Sequence, residues 1–312
     1  MNRISTPVTD RASWLEKRKR NINASDMAAL FHAHPYKTAL QLWGEQTGKL
    51  PFEALADNDV LRRGRIMEPA VAAALREDHP DWIIEEPRTY VELPNARIGC
   101  TPDFEAYVRG QIGTRSPLFL IQAKTVTQYA FEAEWSPCPP AHYIIQVQTE
   151  LLVTGLDRCI LAPLVLDGWR FPVHKYEFSA DPEFHERIIA AAARFWECVE
   201  TGREPSLKPA QDGATLARLH PDGQKEPVLA LHGDADFVEA CAAYKAAAAD
   251  IKAAEERKTA AACRLMAKLH NHAKAEAQDY RVNWTTVPEV SVAAHVKKAH
   301  RRLSVNAVRK GQ

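Results

Sequence analysis

One short run, FLIQAKTV at Phe119 to Val126, constrains this chain more than any other stretch. Its apolar, β-branched and aromatic residues read as a buried strand. Yet Gln122 and Lys124 interrupt it two positions apart. Side chains two apart on a strand share one face. An amide and an ammonium therefore emerge side by side from a core element, and burying either without a partner costs free energy. The expectation is that Ile121 and Ala123 pack inward while the face carrying Gln122 and Lys124 is the floor of a reactive site.

Helical patterns precede the run. NASDMAALF at 23–31 reads as a helix start with Asn23 or Ser25 as cap, and a second short helix from Thr38 is closed by Gly48. A third spans about 57–77, with Val60, Ile66, Met67, Val71 and Leu75 as its apolar face. Strands follow in WIIEEPRTYVEL and on both sides of the turn in ARIGCTPDFEAYV. After the FLIQAKTV strand come a Pro-rich loop, the helix HYIIQVQTELLVTG and strands in RCILAPLVL and WRFPVHKYEF. A helix ending at Gly202 closes the series. The pattern predicts an α/β core over residues 1–210, a central mixed sheet flanked by helices. Residues 211–312 read as a helical C-terminal extension. It has a linker-like start, a long helix over 234–277, a short β segment at YRVNWTTV and a basic tail, HVKKAHRR. Phe237, Cys241, Tyr244, Ala248 and Ile251 alternate spacings of three and four, as a helix–helix seam does.

Forty basic and forty acidic residues cancel, so no global field announces a polyanion. Local clusters do appear, RKR at 18–20, LRRGR at 61–65 and the tail; each alone reads as a solvated face, and the three together lean only modestly towards a polyanion partner. The six cysteines show neither a CxxC pair nor zinc spacing, which predicts reduced thiols. No stretch reads as a signal peptide or approaches the roughly 20 apolar residues of a membrane span. These features predict a soluble, cytoplasmic protein.

The chemistry lies in an ordered set. Glu68 sits on the third helix within GRIMEPAV; Thr101-Pro102-Asp103 forms a turn; nineteen residues later come Gln122 and Lys124. Each piece alone has an ordinary structural reading: a plain turn, an edge lysine, a solvated glutamate. Their combination and order carry the signal. Hard oxygen donors hold a magnesium ion, which polarises a phosphodiester and activates water. A lysine beside them can orient that water and stabilise developing charge.

The order of helical Glu, Pro-Asp and Gln-x-Lys resembles the PD-(D/E)XK nuclease superfamily. More narrowly, INASDMAAL, GRIMEPAVAAAL, IGCTPDFEA with LIQAK, and HYIIQVQTELLVTG resemble the lambda-exonuclease, YqaJ-like phage recombinase family. These stretches cover residues 15–165, about half the chain. The resemblance implies a Mg²⁺-dependent 5′→3′ exonuclease on linear double-stranded DNA, with Mn²⁺ able to substitute. It implies Asp103, Gln122, the Ala123 backbone carbonyl and Glu68, directly or through water, as the metal's ligands, and Lys124 as the catalytic lysine. Arg18, Ser25, Thr101 and Gln146 match positions around a 5′-phosphate pocket. Gln122 departs from the pattern, since the family usually has glutamate there. That leaves open a catalytically weakened DNA-binding module, beside a structure-specific or nonspecific endonuclease of the same fold. The resemblance further implies a phage or prophage protein in a bacterial host, a homo-oligomer such as a trimeric ring, and a single-strand annealing protein as partner. The apolar seam of the long helix is a docking element for that partner, or it packs on the chain's own core.

Overall fold

The computed structural model describes residues 2–52, 59–109, 118–223 and 228–287. The chain divides into two units, Met1–Leu219 and His220–Gln312. The first begins with a strand, Ile4–Pro7 (β1), and the helix Arg11–Lys19 (α1), which Asp10 caps by accepting from the Ser13 N–H. A two-residue strand, Ile22–Asn23 (β2), and a 3₁₀ turn, Met27–Phe31, occupy the stretch expected to start a helix. Neither Asn23 nor Ser25 caps it, because the Asn23 Oδ1 accepts from the Tyr90 hydroxyl and the Ser25 hydroxyl accepts from Arg18. The helices Ala39–Gln46 (α2) and Asp59–Asp78 (α3) follow as expected. The start expected for α3 at residue 57 and the Val60 side chain lie outside the described residues.

The strands are Trp82–Glu85 (β3), Thr89–Leu93 (β4), Ile98–Cys100 (β5), Phe104–Val108 (β6) and Phe119–Thr127 (β7). Then come Gln128–Glu134 (α4), Ala141–Thr154 (α5), Arg158–Leu166 (β8), Tyr176–Ser179 (β9), Pro182–Thr201 (α6) and Pro209–Leu219 (α7). A five-stranded sheet runs β3-β6-β7-β8-β9, parallel between β7 and β8 and antiparallel elsewhere. A four-stranded sheet runs β1-β4-β5-β2, with β2 and β5 parallel. This is the mixed α/β architecture expected from the sequence. Among the described residues, no helix is long and apolar enough to cross a membrane.

Burial explains the layering. Val71, Ala72 and Leu75 of α3 close over Phe119, Ile121 and Ala123 of β7. On the other face of β7, Leu120 and Val126 are buried with Val147 and Leu151 of α5. Both faces of β7 are therefore core. The face expected to be an open floor is apolar at both ends, with Gln122 buried between them and Lys124 partly exposed. A third cluster joins Trp43 of α2, Ile98 of β5, Ile145 and Leu152 of α5 and Phe195 of α6.

The division falls at Leu219 rather than 210 because the stretch read as a linker contains α7, whose Leu216 and Leu219 pack on the third cluster. In the second unit the long helix, Ala235–Leu269 (α8), ends before 277. A hairpin follows, Lys274–Ala277 (β10) with Tyr280–Asn283 (β11). Phe237, Tyr244 and Ile251 of the seam are exposed, so it is not packed as a core stripe. The basic tail at 295–302 lies outside the described residues.

Gly99 of β5 is the closest approach in the four-stranded sheet. A Cβ there would land on the hydroxyl end of the Tyr90 ring, which crosses β5 to reach Asn23 of β2. Gly99→Ala should therefore destabilise the protein by about 1–3 kcal/mol, the usual range for overpacking a close-packed site. Thermal unfolding of the variant against the parent measures it, and an unchanged melting temperature would show that the ring can step aside.

Candidate active site

Asp103 lies in the short link Thr101-Pro102-Asp103, which carries the chain from β5 in one sheet to β6 in the other. Its Oδ2 accepts the Ala123 backbone N–H at 2.9 Å and a short hydrogen bond from the Gln122 amide. Asp103 and two adjacent strand residues, nineteen and twenty positions later, are thus fixed as one unit. Burial pushes the Asp103 carboxyl up, while the Lys124 ammonium and these two donors pull it back down.

Around this unit the elements supply further groups. α3 presents Glu68 just before Pro69, which has no N–H to offer the carbonyl one turn back. Burial first, and the Asp103 charge second, push Glu68 up to about 7. A cavity of about 670 Å³ is lined by Glu68, Thr101, Ala123 and Lys124, together with Trp14 and Tyr143. Arg11, Arg63, Arg65 and Arg88 share its walls with Glu86. Four guanidinium groups around a carboxylate-bearing cavity suit a polyanionic substrate. The Lys124 Nζ stands 5.3 Å from the centroid of the Tyr143 ring of α5.

The candidates for a terminal phosphate divide. The Arg18 Nη2 donates to the Ser25 hydroxyl at 3.1 Å and its guanidinium packs over the Trp14 ring. Arg18 lines a second cavity of about 470 Å³ with Asn23, Asp26 and Lys37. Trp14 joins the two places, since its indole Nε1 donates to the Thr101 hydroxyl at 2.9 Å. Gln146 lines neither cavity; its Nε2 donates to Glu150 Oε1 at 2.9 Å.

Glu150 is the residue the sequence reading missed. It is 2 % exposed, its Oε2 has no hydrogen-bond partner, and burial together with the Asp103 charge pushes it up to about 8. A charged residue inside the apolar string VQTELLV, one turn after Gln146, was the available signal. Arg63 and Arg65 belong to the LRRGR cluster, but Arg11 and Arg88 were unmarked, because nothing in the sequence distinguishes an arginine on a cavity wall from one on a solvated face.

The donor set suits a hard divalent cation. The Asp103 charge raises the cost of ionising both Glu68 and Glu150, which a cation would relieve, and the buried Gln122 Oε1 has no protein partner. Among the described residues no three His, Cys, Asp or Glu side chains alone form a metal cage, so amide and backbone carbonyl oxygens have to contribute.

Residues 13–157 match the family model of the YqaJ-like viral recombinase domain. The uncharacterised protein YqaJ of Bacillus subtilis (strain 168) is 26% identical over 215 residues, which are 66% of this chain and 61% of that protein. An alkaline exonuclease of Laribacter hongkongensis, LHK-Exo, is 20% identical and matches over 66% of this chain and 100% of its own, with a TM-score of 0.48. Its complex with dAMP gives 0.49 at the same identity and coverage.

The raised carboxyls predict a pH dependence of stability. Glu68 and Glu150 hold protons in the folded state that the unfolded chain releases near the ordinary value of 4.5. Folding then binds protons, so stability falls as pH rises from about 4.5 towards about 8. In EDTA the melting temperature should decline across this window, and Glu150→Gln should flatten the decline. A melting temperature that rises over the same range would contradict the buried, protonated state of these acids.

Proposed function

With residues 13–157 a YqaJ-like viral recombinase domain, we propose that the chain is a metal-dependent deoxyribonuclease that degrades linear duplex DNA from its 5′ ends. The observation that carries this reading is the Asp103–Gln122–Ala123 hydrogen-bonded unit at the edge of an arginine-lined cavity that also holds Glu68 and Lys124. Asp103, the Gln122 and Ala123 oxygens and Glu68 would hold Mg²⁺ or Mn²⁺. When bound, such an ion polarises the phosphodiester and makes water a stronger nucleophile. The arginines of the cavity orient the phosphate backbone. Lys124 orients the water and stabilises charge on the attacked phosphate. Arg18 with Ser25 receives the terminal 5′ phosphate, and Trp14 fixes the spacing from that pocket to the cleavage site through Thr101. Gln146 acts through Glu150. We assign the physiological role to phage-type recombination, in which the exposed single strand passes to an annealing protein. Assembly of several copies into a ring would keep the enzyme on one duplex, and bacterial cytoplasm is the compartment where such a duplex is met.

Linear duplex should be degraded in Mg²⁺ and spared in EDTA, with closed circular duplex resistant. Equal cutting of the circle would assign an endonuclease instead. Lys124→Ala should lower the rate on the order of 10²–10⁴-fold, the range for losing a positioned proton-transfer group, with circular dichroism and melting temperature unchanged. Arg18→Ala should remove the preference for phosphorylated over hydroxyl 5′ ends while leaving slow cleavage of both. Equal rates on the two ends by the parent protein would discard the phosphate pocket.

A further inference from the structure

A divalent cation held by Asp103 and Glu68 has a neutral amide, Gln122, on the strand beneath it. On that buried side, where charge interactions are strong, the strand supplies no negative charge. The structure holds an unused acid close by.

Its position follows from the crossover. β7 and β8 are parallel and α5 connects them, so α5 runs back along β7. Tyr143, near the start of α5, stands over Lys124. Tyr143, Gln146 and Glu150 are spaced by three and four residues and so form one stripe on the helix. Seven residues of helix advance about 10 Å, while Gln122 lies about 7 Å back along the strand from Lys124. The stripe therefore runs back along the strand towards Gln122, and the Glu150 carboxyl lies within reach of the charges of Asp103 and Lys124. Neighbouring positions of α5, Val147 and Leu151, are packed on Leu120 of the same strand face, which fixes this registration. The charge of Glu150 is also felt at Cys159, the residue paired with Leu120, and at Cys100, which ends β5 just before the Thr101-Pro102-Asp103 link.

Two buried oxygens in this region have no partner, Glu150 Oε2 and Gln122 Oε1. Natural proteins seldom leave such groups unpaired. The other Glu150 oxygen is held by Gln146, so the carboxyl is aligned rather than loose. Among the described residues, no basic side chain hydrogen-bonds to it.

We propose that Glu150 is a further anion beside the metal centre of Asp103 and Glu68: from α5 it supplies the negative charge that Gln122 does not supply from β7. The inference rests on the metal-dependent reading above. Gln146 is then a positioning residue that holds the Glu150 carboxyl in line. Gln122 contributes an oxygen and a hydrogen bond, and Glu150 contributes charge.

Mn²⁺ binding to the full chain, followed by the loss of the free-ion electron paramagnetic resonance signal, tests this without recourse to activity. Glu150→Gln, nearly isosteric, should weaken Mn²⁺ binding roughly tenfold or more, as removal of one nearby charge in a low-dielectric site does. Gln122→Glu in that background should restore most of the affinity, because it returns the charge from the strand. Melting temperatures in EDTA establish that each variant is folded. If Glu150→Gln binds Mn²⁺ like the parent while Asp103→Asn does not bind, the metal centre stands and this inference falls. If Gln122→Glu fails to rescue the folded Glu150→Gln protein, Glu150 acts on packing rather than charge, which also overturns it. If Asp103→Asn leaves binding unchanged, the metal-dependent reading itself is lost.

Discussion

Two hydrogen bonds accepted by one carboxylate hold this molecule's chemistry in place. Asp103 takes the Ala123 N–H and the Gln122 amide, and by doing so pins the link between the two sheets to the central strand. The link leaves β5 in the four-stranded sheet and enters β6 in the five-stranded one. Everything carried by the first sheet, including Thr101 and through it Trp14 and Arg18, is thereby referenced to β7. A buried carboxylate is a costly way to make a joint, since it must be desolvated. An apolar pair would hold a joint at lower cost, so the cost points to a role beyond architecture.

Helix α5 is the second organiser. Val147 and Leu151 bury one side of it against β7 and β8, and Ile145 and Leu152 bury another against the four-stranded sheet. Its polar stripe of Tyr143, Gln146 and Glu150 runs between these apolar contacts. Reactive groups placed on a helix clamped from two sides have little freedom to drift, which is what tight positioning of a metal or a phosphate requires.

The fold was legible where burial is strongly patterned. β7, β8, α5 and α6 follow from apolar period and turn residues, and the polar pair on β7 pointed to the site. The misses have physical causes. β2 is two residues long and is a strand only because β5 lies beside it, so residues 23–31 looked like a helix start. α7 begins at Pro209 and contains Gly213, both of which read as linker, and it is helical because Leu216 and Leu219 have a cluster to join. Asp103, Gln122 and Lys124 could be found from order along the chain. Glu150 could not be weighed without knowing that α5 turns that position inward, beneath the place where the sheets meet.

Gln122 has a consequence for the protein before any cofactor arrives. A glutamate at that position would set a second anion against Asp103 in a desolvated place, and the pair would repel until a cation separated them. The amide instead donates to Asp103, turning a repulsion into a bond. The joint between the sheets therefore closes through the protein's own groups, with no cation needed to separate two anions.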